Sequence, residues 1–173
     1  VLLKNEEAIL PLKKTARIAL CGAMAATVRY QGAGSSHINP TRLSSLRAAL
    51  EAAGGNLAYY PAYELDGEKN AKELQRAVDA AKEADAAVLV VGLPDSYESE
   101  GYDRKHMAMP ESHCELISEI AKVNQNVVVV LMGGSPVEMP WLNDAKAVLN
   151  LYLGGQAVGE AGADLLYGVA NPG

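Results

Sequence analysis

The chain has no run of lysine and arginine, and its 15 Lys plus Arg stand against 21 Asp plus Glu, a formal net charge of −6. Neither nucleic acid nor an anionic membrane surface is therefore an expected partner. Cysteine is scarce: Cys21 and Cys114 lie far apart, without Cys-x-x-Cys or Cys/His ligand spacing, so both are expected to be buried thiols and no disulfide or metal site. His37, His106 and His113 fit no common metal-ligand spacing either. No apolar stretch approaches a bilayer-spanning length, and the longest, Val127 to Met132, is strand-sized. Also missing are a phosphate loop ending in Gly-Lys-Ser/Thr, the third glycine of a dinucleotide fingerprint after Gly32-Ala33-Gly34, and a Gly-x-Ser-x-Gly frame around Ser35 or Ser36. Nucleotide binding at that Gly/Ser loop is thus a minority reading, and serine-hydrolase chemistry a weaker one.

What is present is the balance of an ordinary globular protein, 49% hydrophobic and 21% charged over 173 residues, enough for one domain with a full core. Apolar runs alternate with amphipathic stretches. Strands are expected at Arg17 to Gly22, Leu57 to Tyr60, Ala86 to Val91, Asn126 to Met132 and Ala147 to Leu153. Helices are expected after Asn39-Pro40 through Leu50, over Glu68 to Glu83, over Glu111 to Val123 and over Val158 to Tyr167, with a short turn at Pro140-Trp141-Leu142. Strands alternating with helices predict an α/β three-layer sandwich, a mostly parallel sheet of about five to six strands with helices on both faces, as a single domain over residues 1–173. The opening Val1 to Asn5 reads as the end of an element begun elsewhere, so the expectation is a fragment excised from a larger enzyme. On that reading, a missing signal peptide says nothing about where the parent protein works.

The richest functional signal follows the strand Ala86 to Val91, where Glu98-Ser99-Glu100-Gly101-Tyr102-Asp103-Arg104 sets ionisable groups beyond a strand's carboxyl end, the place where open α/β sheets bind ligands. Glu98 and Glu100 sit two apart in a loop, and only one is expected to face a given site, so they are rivals and not a catalytic pair. An arbitrary pair of loop glutamates is usually just solvated. Here Gly101 permits a sharp turn and Asp103 and Arg104 can brace the loop, which makes one carboxyl a candidate general acid/base. Glu138 is the other carboxylate near a strand's carboxyl end, a candidate hydrogen-bonding residue. Trp141 reads as a packing anchor.

Taken in order, Val1-Leu2-Leu3-Lys4-Asn5 with Leu10-Pro11-Leu12, Gly34-Ser35-Ser36, the Glu98 to Arg104 segment with Met109-Pro110, Gly134-Ser135-Pro136-Val137 with Trp141, and Gly154-Gly155-Gln156 with Asn171-Pro172 resemble the second domain of family 3 glycoside hydrolases. The resemblance implies an α/β sandwich that follows a barrel, in enzymes such as β-glucosidases, xylosidases and related exo-acting hydrolases. It implies a retaining mechanism, with an Asp nucleophile on the barrel and an acid/base Glu from this domain, the two carboxyls about 5 to 5.5 Å apart across the scissile bond. The family's Glu-Gly-Tyr-Asp-Arg motif falls on Glu100, and Glu98 stays a close rival. Ser35, Ser36, Asp103, Arg104 and Glu138 become candidates for substrate binding or loop support. The implied partners are a β-glucoside or other β-linked oligosaccharide and the missing (β/α) barrel of the same parent chain; the implied cofactor and metal are none. Half an active site is present, so the isolated chain is expected to be inactive. The other readings are a nucleotide- or flavin-binding flavodoxin-like module and a non-catalytic assembly domain.

Overall fold

Eight strands, six of them in one sheet, and four α-helices build the molecule in chain order: β1 (Leu2–Asn5), β2 (Ile18–Cys21), α1 (Leu46–Ala52), β3 (Leu57–Tyr60), α2 (Ala71–Glu83), β4 (Ala86–Gly92), then a small ribbon of β5 (Glu98–Ser99) and β6 (Tyr102–Asp103), α3 (Glu111–Ala121), β7 (Val127–Met132), β8 (Ala147–Asn150) and α4 (Val158–Leu166). The structure, a computed structural model, describes the backbone of all 173 residues and the side chains of all but Tyr102 and Asp103. The main sheet runs β1-β8-β7-β4-β2-β3; its strands are parallel except β1, which pairs antiparallel to β8 at one edge.

β4 and β7 are buried at every residue, which is why they read as unbroken Val/Leu/Ala runs with no polar alternation. Helices α2 and α3 pack against each other and cover β2, β3, β4 and β7, while α1 packs against α4. Trp141 is buried in the core, as its apolar neighbours predict. Chain order reverses between β2 and β4: from β2 the chain moves outward to β3, then returns to β4 and continues the other way to β7 and β8. Such a switch point opens a crevice at the strands' carboxyl ends.

Several boundaries differ from expectation. α1 starts at Leu46, capped by Ser45, whose hydroxyl accepts Ala48 N–H at 3.1 Å, and not at Asn39. The segment before it is bound elsewhere: Ser44 N–H donates to Gln156 O at 3.0 Å and Ser44 Oγ accepts Gly159 N–H at 3.1 Å, which leaves Leu43 43% exposed. β8 is shorter than the run Ala147 to Leu153. Val1 to Asn5 supplies a sheet-edge strand, and the Glu98 to Arg104 segment folds as a hairpin. Cys21 is buried, and its thiol is pushed up to about 12 by desolvation, whereas Cys114 is only half-buried. No helix among the described residues is long and apolar enough to cross a membrane.

Candidate active site

Three loops leave the carboxyl ends of β2, β4 and β7 and converge. The hairpin after β4 turns at Glu100-Gly101, where Gly101 has φ +92°, a left-handed conformation that glycine adopts without strain. Glu98 lies on its first strand and Glu100 at its tip, and the two carboxylates go to different partners.

Glu98 is directed inward. Its Oε1 accepts Gly134 N–H at 2.7 Å and its Oε2 accepts Ser135 Oγ–H at 2.8 Å, so the loop after β7 closes on it. Arg29, from the long loop after β2, lies 3.5 Å from Glu98 Oε1; the side chains of Arg29 and Glu98 are 7% and 13% exposed. Arg29 also donates to Leu93 O at 3.2 Å, Gln31 O at 2.7 Å and Glu98 O at 3.1 Å, and pairs with Asp95. One buried guanidinium therefore ties the β2 and β4 loops to the base of the hairpin. A planar group with five donors in a fixed fork suits that task, and a lysine would not reproduce it.

Glu100 faces outward and is exposed. Its Oε2 accepts Ser35 N–H at 2.7 Å and also the Ser35 hydroxyl. These two donors hold its carboxyl below the ordinary glutamate range, the hydroxyl contributing most, because both stabilise the charged form. The Ser35 amide, which a phosphate-cradle reading of the Gly/Ser loop would need, is occupied by this carboxylate.

The other candidates divide. Ser36 turns back into its own loop, donating to Ala33 O at 3.2 Å. Arg104 donates to Pro136 O and helps pin the β7 loop. Glu138 is exposed, its backbone N–H bound to Met107 O at 2.8 Å, and its carboxylate has no hydrogen bond or ion pair among the described residues. The side chain of Asp103 lies outside the described residues. Beside the Ser35 turn, Gln31, His37 and Asn39 line a cavity of about 910 Å³ at the β2/β4 crevice. His113 sits away from all of this, fully buried in the first turn of α3, its ring 4.0 Å from that of Tyr63 and its Nδ1 3.1 Å from Gly92 O. Burial pushes it down to about 4, so it is a neutral core residue. Among the described residues no group of three or more His, Cys, Asp and Glu is placed to hold a metal.

Sequence reasoning missed Arg29. Its neighbours Ala25, Ala26, Thr27 and Val28 carry no motif, and its partners lie 64 and 69 residues away, so no local pattern marks it.

A mostly parallel sheet covered on both faces, with carboxylates on loops at the carboxyl ends of its strands, is the form of an α/β domain built to face a ligand. The pattern described as the glycosyl hydrolase family 3 C-terminal domain matches residues 1–173, and the chain belongs to that family. It is 53% identical to the thermostable beta-glucosidase B of Acetivibrio thermocellus over 99% of this chain and 23% of that protein. It is 42% identical to an exo-alpha-(1->6)-L-arabinopyranosidase of Bifidobacterium longum over 99% of this chain and 24% of that one. Among solved structures, a GH3 beta-glucosidase of Bifidobacterium adolescentis superposes with a TM-score of 0.94 at 44% identity, over 98% of this chain and 25% of that chain. The chain thus spans about a quarter of the length of the relatives it matches.

Proposed function

We propose that the chain is the domain of a retaining, exo-acting β-glycosidase of β-glucosidase type that contributes the general acid/base carboxyl, Glu100, to a site completed by a barrel outside this chain. The enzyme removes terminal non-reducing β-D-glycosyl residues. The observation that carries this reading is the contrast between the two glutamates: Glu98 is spent on the Arg29, Gly134 and Ser135 cluster, while Glu100 stands exposed with one carboxylate oxygen unbound among the described residues. A group that must exchange a proton with a leaving oxygen and then with water needs that access.

In the first half-reaction Glu100 gives its proton to the leaving oxygen as the barrel's nucleophile attacks the anomeric carbon; in the second it takes a proton from the incoming water. In the open domain its carboxyl sits low and is ionised at neutral pH. Closure by the barrel and the sugar raises it, through loss of water and the approach of a second carboxylate. The sugar is left open: two relatives matched at nearly equal coverage carry different sugars in their names, and this domain supplies only one side of the site.

The test is Glu100→Gln in a parent enzyme. Cleavage of alkyl glycosides, whose leaving groups need the proton, is expected to be lost, and cleavage of activated aryl glycosides to persist. Equal rates on both would overturn the assignment and favour a non-catalytic assembly role.

A further inference from the structure

We infer that Ser35 is a positioning residue for the Glu100 carboxyl: its amide and hydroxyl converge on Oε2, fixing the group at the hairpin tip and leaving Oε1, which has no hydrogen bond among the described residues, to exchange the proton. The inference rests on the reading of Glu100 as the acid/base group.

The tether is built into the loop. The Gly34–Ser36 turn is closed by His37 N–H to Gly34 O at 3.2 Å, and Gln31 clamps its neck, accepting Ile38 N–H at 3.0 Å and donating to Tyr30 OH at 2.7 Å. Gly34 has φ +81°, and a Cβ there would lie 2.7 Å from Glu100 Cβ and 3.0 Å from Oε2. The turn comes this close because position 34 has no side chain. Of the two hydroxyls that follow, Ser36 is turned back to Ala33 O, so Ser35 alone is presented to the hairpin.

The charged groups on the elements packed here do not take over the role. Glu98 is engaged by Arg29, Gly134 and Ser135; Arg104 donates to Pro136 O; His37 Nε2 lies 3.8 Å from Asp95, which Arg29 holds. Neither Glu98, Arg104 nor His37 has a hydrogen bond or ion pair with Glu100, and the side chain of Asp103 is outside the described residues. Two donors on one carboxylate oxygen stabilise the anion, in line with the lowered Glu100 carboxyl. Ser35 therefore favours the state that accepts the proton in the second half-reaction and opposes protonation until the site closes.

The test starts with the 173-residue chain. Glu100 is titrated by carboxyl-resolved NMR in the wild type, Ser35→Ala and Ser35→Thr. The expected result is a midpoint below that of ordinary glutamate in the wild type and the threonine variant, rising towards the ordinary value in the alanine variant, which keeps the amide donor but loses the hydroxyl; an unmoved midpoint in Ser35→Ala overturns the tether. In a parent enzyme, Ser35→Ala is expected to lower kcat on an alkyl glycoside roughly tenfold while moving the high-pH limb of kcat/KM upward, with Ser35→Thr restoring both. A purely structural role would lower the rate and leave the limb in place, which also overturns the inference. Glu100→Gln in the same assay separates the two failures. If it cleaves alkyl glycosides at the wild-type rate, the acid/base reading falls; if it is inactive on them while Ser35→Ala behaves as wild type, only the role of Ser35 falls.

Discussion

Glu98 and Glu100 sit two residues apart on one hairpin, and each receives an amide and a hydroxyl from a distant loop: Glu98 from Gly134 and Ser135, Glu100 from Ser35. Their difference lies in what surrounds them. Glu98 has a buried guanidinium beside it and little contact with water, whereas Glu100 is exposed and has no ion pair among the described residues. A carboxylate satisfied on both oxygens and paired with a buried cation is part of the fold, because removing it leaves donors and a charge unmatched. A carboxylate bound through one oxygen at an exposed tip can change protonation state without disturbing the packing. On the proposed function, chemistry therefore falls to Glu100 and architecture to Glu98.

Breaking the buried side of this comparison should have the largest effect. Arg29→Ala removes three hydrogen bonds and the ion pairs with Asp95 and Glu98; unfolding in urea is expected to show a loss of about 3 to 5 kcal/mol, in the range for stripping one partner from a buried pair. A remote control comes next. Unfolded His113 takes up its proton as the pH falls through 6.5, but the folded residue does so only near 4. Its contribution is thus complete above about pH 6.5 and is lost as the pH falls towards 4, on the order of 3 kcal/mol in all. His113→Gln should flatten the stability profile across that window while leaving the behaviour of the two glutamates unchanged. Smaller still, Glu98→Gln is expected to cost about 1 to 3 kcal/mol, since it leaves a buried charge and donors poorly matched. Glu100→Gln should stay within about 0.5 kcal/mol of the wild type, as exposed substitutions usually do. Equal stability losses at the two glutamates would erase the distinction.

Much of the frame was legible in the chain itself. Val127 to Val130 and Ala86 to Val91 are unbroken apolar runs, and burial on both sheet faces is the condition that produces such runs. Leu57–Tyr60 appears as read, and α2, α3 and α4 fall within a few residues of their expected limits. Local pattern failed where long-range partners decide. Asn39 and Ser45 are both plausible caps, and the choice turns on Ser44 binding α4 across more than a hundred residues. The two-strand ribbon is too short for any periodicity to reveal. Glu98 and Glu100 stayed rivals for the same reason: their partners stand 36 and 65 residues away, and spacing along the chain says nothing of them. The Gly34-Ser35 segment, weighed as a phosphate loop before the resemblance, and the Gly134-Ser135 segment, noticed for the resemblance, are the segments that meet the two carboxylates.

The most direct measurement is chemical rescue in a parent enzyme carrying Glu98→Ala or Glu100→Ala, assayed on an activated aryl glycoside with and without azide. Azide needs no general base to attack the glycosyl-enzyme, so it replaces water when the acid/base carboxyl is gone. Azide is predicted to accelerate the Glu100→Ala enzyme and yield a β-glycosyl azide, while the Glu98→Ala enzyme, to the extent that it folds, is insensitive to it. Rescue of Glu98→Ala without rescue of Glu100→Ala would contradict the assignment.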